Sequence, residues 1–202
     1  MSVSHAICLL AGGQARRMGG GDKGQIVIEG KTIISTLVSR FASSDYMFLN
    51  ANGDLDRFQS YGLKTIPDKL PDYQGPLSGI YSAMCHLAET KPDIKWLISL
   101  PTDAPLIPAS LPEDLLLEAI NANADVVSVQ SHGRTHPVIA AWSMRLLEPL
   151  GEALIEKNMR KIDLFTASYN CKYITYDEHP DPFLNLNRPE DLEAFHAQSK
   201  NK

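Results

Sequence analysis

Cysteine is scarce and scattered. Cys8, Cys85 and Cys171 are the only three in 202 residues, and no C-x-x-C pair occurs. That spacing suggests neither a zinc site nor a disulfide framework. Cys8 falls inside an apolar run and reads as a buried thiol rather than a reactive one. Long apolar runs are missing too: none approaches the ~18 residues of a membrane-crossing helix. The first residues lack the charged region of a signal peptide, and their apolar stretch runs straight into a glycine loop. The expected setting is a reducing cytoplasm, away from membranes. Excess positive charge is also absent. The net charge of −5 argues against broad nucleic-acid binding, which leaves a basic footprint. There is no Pro/Gly/Ser linker, internal repeat or low-complexity tract, and the length suits one domain over residues 1–202. No Ser–His–Asp or Cys–His arrangement is legible.

What is present is concentrated near the start. The stretch from Leu10 to Lys23 holds five glycines, two arginines and a lysine in fourteen residues. Glycines let successive backbone N–H groups turn inward and line an anion-sized nest. Arg16, Arg17 and Lys23 add full positive charges within an acidic protein, so the cluster reads as a site for a nucleoside triphosphate. The order G-G-x-x-x-x-M-G does not fit the dinucleotide fingerprint G-x-G-x-x-G. Lys23 sits between Asp22 and Gly24, so the loop is not a Walker A loop either. A glycine-rich loop without a ligand is the competing reading.

Short apolar runs alternate with amphipathic stretches. Strands are expected at 5–10, 46–49, 63–66, 95–100, 125–129, 136–142 and 172–176. Helices are expected at 32–41, 77–87, 111–121, 144–156, 162–169 and 189–197. The run at 136–142 follows its predecessor after only a short polar loop, which predicts an antiparallel strand. The alternation predicts a three-layer α/β fold with a mainly parallel sheet. Ligands of such sheets lie outside the carboxyl ends of the strands.

The polar motifs fall at those ends. Asp103, between Pro101 and Pro105, closes the fourth strand and reads as a magnesium ligand or as a turn aspartate. Asn50 and Asp68 end the second and third strands, as site residues or as plain turn residues. Gly75 and Gly79 permit close backbone approach at the start of a helix, where a packing junction is equally expected. Asn185 and Asn187 point the same way in an extended segment and suit a pterin or phosphate acceptor. A helix cap before Pro189 explains one of them but not both. His132, Arg134 and His136 cluster in a loop, where Arg134 can hold an anionic acceptor or simply be solvated.

The pattern L-A-G-G-x-x-R-R-M-G-x-x-D-K, followed by N-A-N, P-D, G-P-L-x-G, D-x-P and N-x-N-x-P-E-D-L, resembles the nucleotidylyltransferases. It is most similar to the molybdenum cofactor guanylyltransferases, the MobA family, and the likeness runs from Leu10 to Leu192. The resemblance implies a Rossmann-like nucleotidylyltransferase fold. It implies transfer of GMP from GTP to molybdenum-molybdopterin, forming the guanine dinucleotide cofactor and pyrophosphate. By the same token Leu10, Ala11, Gly12, Gly13, Lys23, Asn50, Asp68 and Asp103 bind the nucleotide. Arg17, Lys23 and Asp103 carry catalysis, Asp103 holds Mg2+, and Asn185 and Asn187 bind the acceptor. Other cofactor-biosynthesis proteins, and recipient molybdoenzymes or their chaperones, are the protein partners that the resemblance implies. Arg188 stands where the family often has threonine. Cytidylyltransferases for the same cofactor favour A-A-G where this chain has Ala11-Gly12-Gly13, which favours GTP here.

Overall fold

The computed structural model describes residues 3–11, 23–70 and 75–185. Nine strands and five α-helices are found among them. The main sheet has seven strands in the order β5-β4-β1-β6-β8-β7-β9. These are β1 (His5–Leu10), β4 (Met47–Asn50), β5 (Lys64–Ile66), β6 (Trp96–Pro101), β7 (Val126–Ser131), β8 (Arg134–Ser143) and β9 (Cys171–Tyr176). Only β8 runs against its neighbours, lodged between β6 and β7 as its short polar connection predicted.

Alternation along β1 explains the layers. Ile7 and Leu9 face one apolar core, while Ala6 and Cys8 face the other. The first core takes α1 (Ile33–Arg40) and α3 (Leu111–Asn121), through Ile33, Leu37, Leu111 and Leu115. The second takes α2 (Pro76–Thr90), α4 (Leu147–Ile155) and α5 (Ile162–Thr166), through Ile80, Met84, Leu150 and Phe165. Both faces of the central strands are buried, so those strands are continuous apolar runs. Thr32 caps α1 by accepting the Ser35 N–H, and Pro76 occupies the first turn of α2.

Several boundaries differ from the expectation. The helix expected at 144–156 begins as a 3-10 turn, Met144–Leu146, before α4 takes over. The one expected at 162–169 stops at Thr166. A small hairpin, β2 (Val27–Ile28) with β3 (Lys31–Thr32), has no counterpart in the sequence reading. Glu29 and Gly30 turn it with positive φ, as two-residue hairpins require, but two-residue strands carry no periodicity to read. The helix expected at 189–197 lies outside the described residues.

Candidate functional site

One line of register assembles the site. Ile66, Asn50, Leu10 and Pro101 are successive Cα partners across β5, β4, β1 and β6. All four strands are parallel, so their carboxyl ends finish together. The residues just past that row are Asp68, Asn52, Ala11 and Asp103. A cavity of about 200 Å3 opens there. Leu10, Ala11, Lys23, Asn50, Asp68, Gly75, Gly79, Thr102 and Asp103 line it, with Val138 on the β8 side.

Asp103 and Lys23 meet at the centre. Lys23 Nζ lies 3.3 Å from Asp103 Oδ2. The other carboxylate oxygen, Oδ1, is buried and has no hydrogen-bond partner among the described residues. Buried polar atoms are almost always satisfied, so an orphaned carboxylate oxygen at a cleft marks a place for a missing partner. A hard divalent cation fits: carboxylate oxygen is its preferred donor, and magnesium needs few protein ligands beside substrate phosphates. No cluster of three or more His, Cys, Asp or Glu side chains able to hold a metal occurs among the described residues. Among the described residues, Asp103 offers the carboxylate oxygen that such a cation would take.

Lys23 is seated by its neighbour. It opens a short 3-10 turn, Lys23–Gln25, in which Gly24 is buried. A Cβ on Gly24 would stand 2.7 Å from Ile34 Cγ1 and 2.8 Å from Thr102 Cβ. The turn therefore lies directly on α1 and on the segment carrying Asp103. Glycine is required here for space, a need that no local pattern announces beyond the departure from a Walker loop.

The far side of the cavity is an amide–carboxylate clamp. Asn50 Nδ2 donates to Asp68 Oδ1 at 3.0 Å, and Asn52 Nδ2 donates to Asp68 Oδ2 at 2.9 Å. The Asp68 backbone N–H returns a bond to Asn52 Oδ1 at 2.9 Å. Asn52 is a candidate site residue that the sequence analysis does not single out. Its signal was available, because Asn50 and Asn52 stand two apart at a strand end and face the same way. Gly79 completes this corner: a Cβ there would sit 2.6 Å from Asn50 Oδ1. Ser82 ties the helix to the clamp, accepting the Lys69 N–H at 2.7 Å.

The other expected site residues divide. Gly12, Gly13, Arg17 and Asn187 lie outside the described residues. Asn185 is half-buried and follows Phe183, which packs edge-on against Tyr176 and beside His136. It is not part of the cavity lining described above. The expected cluster of His132, Arg134 and His136 comes apart. Arg134 begins β8 and is exposed, and His132 sits in the turn with its ring 4.6 Å from that of His179. His136 faces inward, 2.8 Å from Ser131 Oγ. Burial, with Arg134 nearby, holds its imidazole pKa below the ordinary value, against a smaller opposing pull from Asp181. Residues alternate between faces along a strand, which the loop reading did not allow for. Burial raises the Cys8 thiol pKa strongly, in line with a buried, unreactive cysteine.

The model of the MobA-like NTP transferase domain matches residues 7–168, which includes every strand end described here except β9. The chain belongs to this family. It is 42% identical to a molybdenum cofactor guanylyltransferase of Bradyrhizobium sp. (strain ORS 278), over 91% of this chain and 88% of that protein. It is 41% identical to the protein of the same name from Rhodopseudomonas palustris (strain BisB5), over 91% of this chain and 89% of the relative. Among solved structures, molybdopterin-guanine dinucleotide biosynthesis protein A from Archaeoglobus fulgidus shares the fold. Its TM-score is 0.79 at 21% identity, over 98% of this chain and all of that one. The chain is a nucleotidyltransferase. No helix among the described residues is long and apolar enough to cross a membrane.

Proposed function

We propose that this cleft transfers GMP from GTP to molybdenum-molybdopterin, releasing pyrophosphate and forming the guanine dinucleotide cofactor. The observation that carries the reading is the Lys23–Asp103 pair, with its orphaned carboxylate oxygen in a cleft at the strand ends. The names of relatives above 40% identity over most of both chains support the choice of substrates. The clamp of Asn50, Asn52 and Asp68 suits the nucleoside end, since its carboxylate is rigidly aimed and can accept hydroxyl or N–H donors. The glycine loop continuing from Ala11, with Arg17 and Lys23, takes the triphosphate.

The chemistry asks little of acid or base groups. A phosphate monoester oxygen of the acceptor attacks the α-phosphorus of GTP in line; the new P–O bond forms as the bond to pyrophosphate breaks. The dianion is already a nucleophile, so no general base is needed. Lys23 neutralises charge that builds on the phosphates, and Asp103 is placed to hold a divalent cation, which we take to be magnesium. Bound there, the cation would screen phosphate charge. The protein's own contribution is placement and fixed electrostatics.

Pyrophosphate release tests the reading. Purified protein with molybdenum-molybdopterin should release pyrophosphate with GTP and magnesium, and much less with CTP, ATP or UTP. Equal turnover with CTP would replace guanylyl transfer by cytidylyl transfer on the same fold. Binding of GTP without pyrophosphate release would make the chain a nucleotide-binding module.

A further inference from the structure

Strand β8 does not pair evenly with β7. His136 is opposite Val129, yet Ala140 is opposite Ser128, so Pro137, Val138 and Ile139 have no counterparts. This is a three-residue bulge. Pairing to β6 stops at the same place: Ser99 is opposite Ala140, and Leu100 and Pro101 pair with β1 but not with β8. The sheet opens between β6 and β8 just before Asp103, and Val138 enters the cavity lining through the gap. Bulges re-aim side chains beside sites in this way.

A buried relay fastens the bulge. Ser99 is the one hydroxyl residue in the apolar strand β6, and it is fully buried. Its Oγ donates to the Val138 carbonyl at 2.6 Å and accepts from Trp142 Nε1 at 2.9 Å. Trp142 is also fully buried, so its N–H must find a partner inside the protein. The relay runs from Trp142 on β8, through Ser99 on β6, back to the bulge on β8.

We propose that Ser99 is a positioning residue that sets the acceptor-side wall of the cleft by holding the β8 bulge and Val138. This rests on the reading given under Proposed function, in which the Asn50–Asp68 clamp takes the nucleoside. Across the sheet the clamp lies at the carboxyl ends of β4 and β5, Asp103 just past the end of β6, and Val138 beyond it on β8. The acceptor must approach the α-phosphorus from a side the nucleoside does not fill, and Val138 borders that side. Losing the Ser99 hydroxyl leaves the Val138 carbonyl free to turn toward water in the cleft.

The test compares three variants by two-substrate kinetics with molybdenum-molybdopterin and GTP, alongside GTP titration and thermal unfolding. Ser99→Ala should raise the acceptor KM about tenfold, the scale of one lost buried hydrogen bond, and leave GTP affinity within about twofold. Trp142→Phe keeps the Ser99–Val138 bond, so it should lower Tm without moving the acceptor KM. Val138→Phe, at a half-buried position, should crowd the acceptor and spare GTP. The proposal is overturned if Ser99→Ala and Trp142→Phe differ from wild type only in Tm, or if acceptor and GTP constants worsen together. Should Ser99→Ala fail to fold, an unchanged acceptor KM in Val138→Phe overturns it. No guanylylated product from wild type defeats the underlying reading as well; product from wild type with no acceptor effect in the variants defeats this proposal alone.

Discussion

Replacing Gly24 by alanine tests how finely Lys23 must be placed. The added methyl carbon would lie 2.7 and 2.8 Å from the Ile34 side chain and 2.8 Å from Thr102 Cβ. Comfortable carbon–carbon separations are about 3.5–4.0 Å, so the turn must lift by several tenths of an ångström to about 1 Å. Ile34 is fully buried in the core beneath α1, and Thr102 is buried beside Asp103, so neither can simply step aside. Overpacking of this kind costs about 1–3 kcal/mol of stability. The displacement passes directly to Lys23, the adjacent residue, and a shift of about 1 Å in a positioned group can cost on the order of a hundredfold in rate. The assay is pyrophosphate release under saturating magnesium, with thermal unfolding measured in parallel. The expected result is a kcat/KM loss of ten- to a hundredfold, on the order set by misplacement, at a temperature where the variant is still fully folded. A variant that loses stability but keeps wild-type kcat/KM would refute the claim that Gly24 seats Lys23.

Other perturbations separate roles within the site. Lys23→Ala should cut turnover by on the order of a hundredfold and barely move Tm; near-normal turnover would remove Lys23 from the chemistry. Asp103→Asn keeps the shape but loses the charge, so activity should need more magnesium, and superimposable magnesium titrations would reduce Asp103 to a turn residue. Asn52→Ala frees one Asp68 oxygen and the Asp68 N–H, so GTP binding should weaken by about 1–3 kcal/mol, read by titration calorimetry. Asn185→Ala and Asn187→Ala should keep GTP affinity and lose cofactor product; loss of GTP binding in both would give these residues to the nucleotide. Burial lowers the pKa of His136, and burial with Lys64 lowers that of His86. The folded imidazoles then bind protons less readily than the unfolded ones. Stability should be full above the ordinary value of 6.5 and fall as pH drops below it, a fall that His136→Gln should reduce in a series of melting curves.

Local patterning alone specifies the layers and the end of the sheet at which the site lies. Apolar runs such as residues 5–10 and 95–100 are legible because central parallel strands are buried on both faces. Local patterning suffices to find them. Gathering the polar motifs at the carboxyl ends needed only the order of strands and helices. The antiparallel β8 followed from a connection too short to cross over. Tertiary structure decided what holds those residues in place. Lys23 meets Asp103 across eighty positions of sequence. Gly24 is fixed by Ile34 and Thr102, and Asp68 is gripped by Asn50 and Asn52 from the end of β4 and the residues just past it. The relay from Trp142 through Ser99 to Val138 depends on a bulge that no periodicity announces. Each of these contacts joins segments distant in the chain, and steric fit and hydrogen bonding between them arise only once the sheet has set its register.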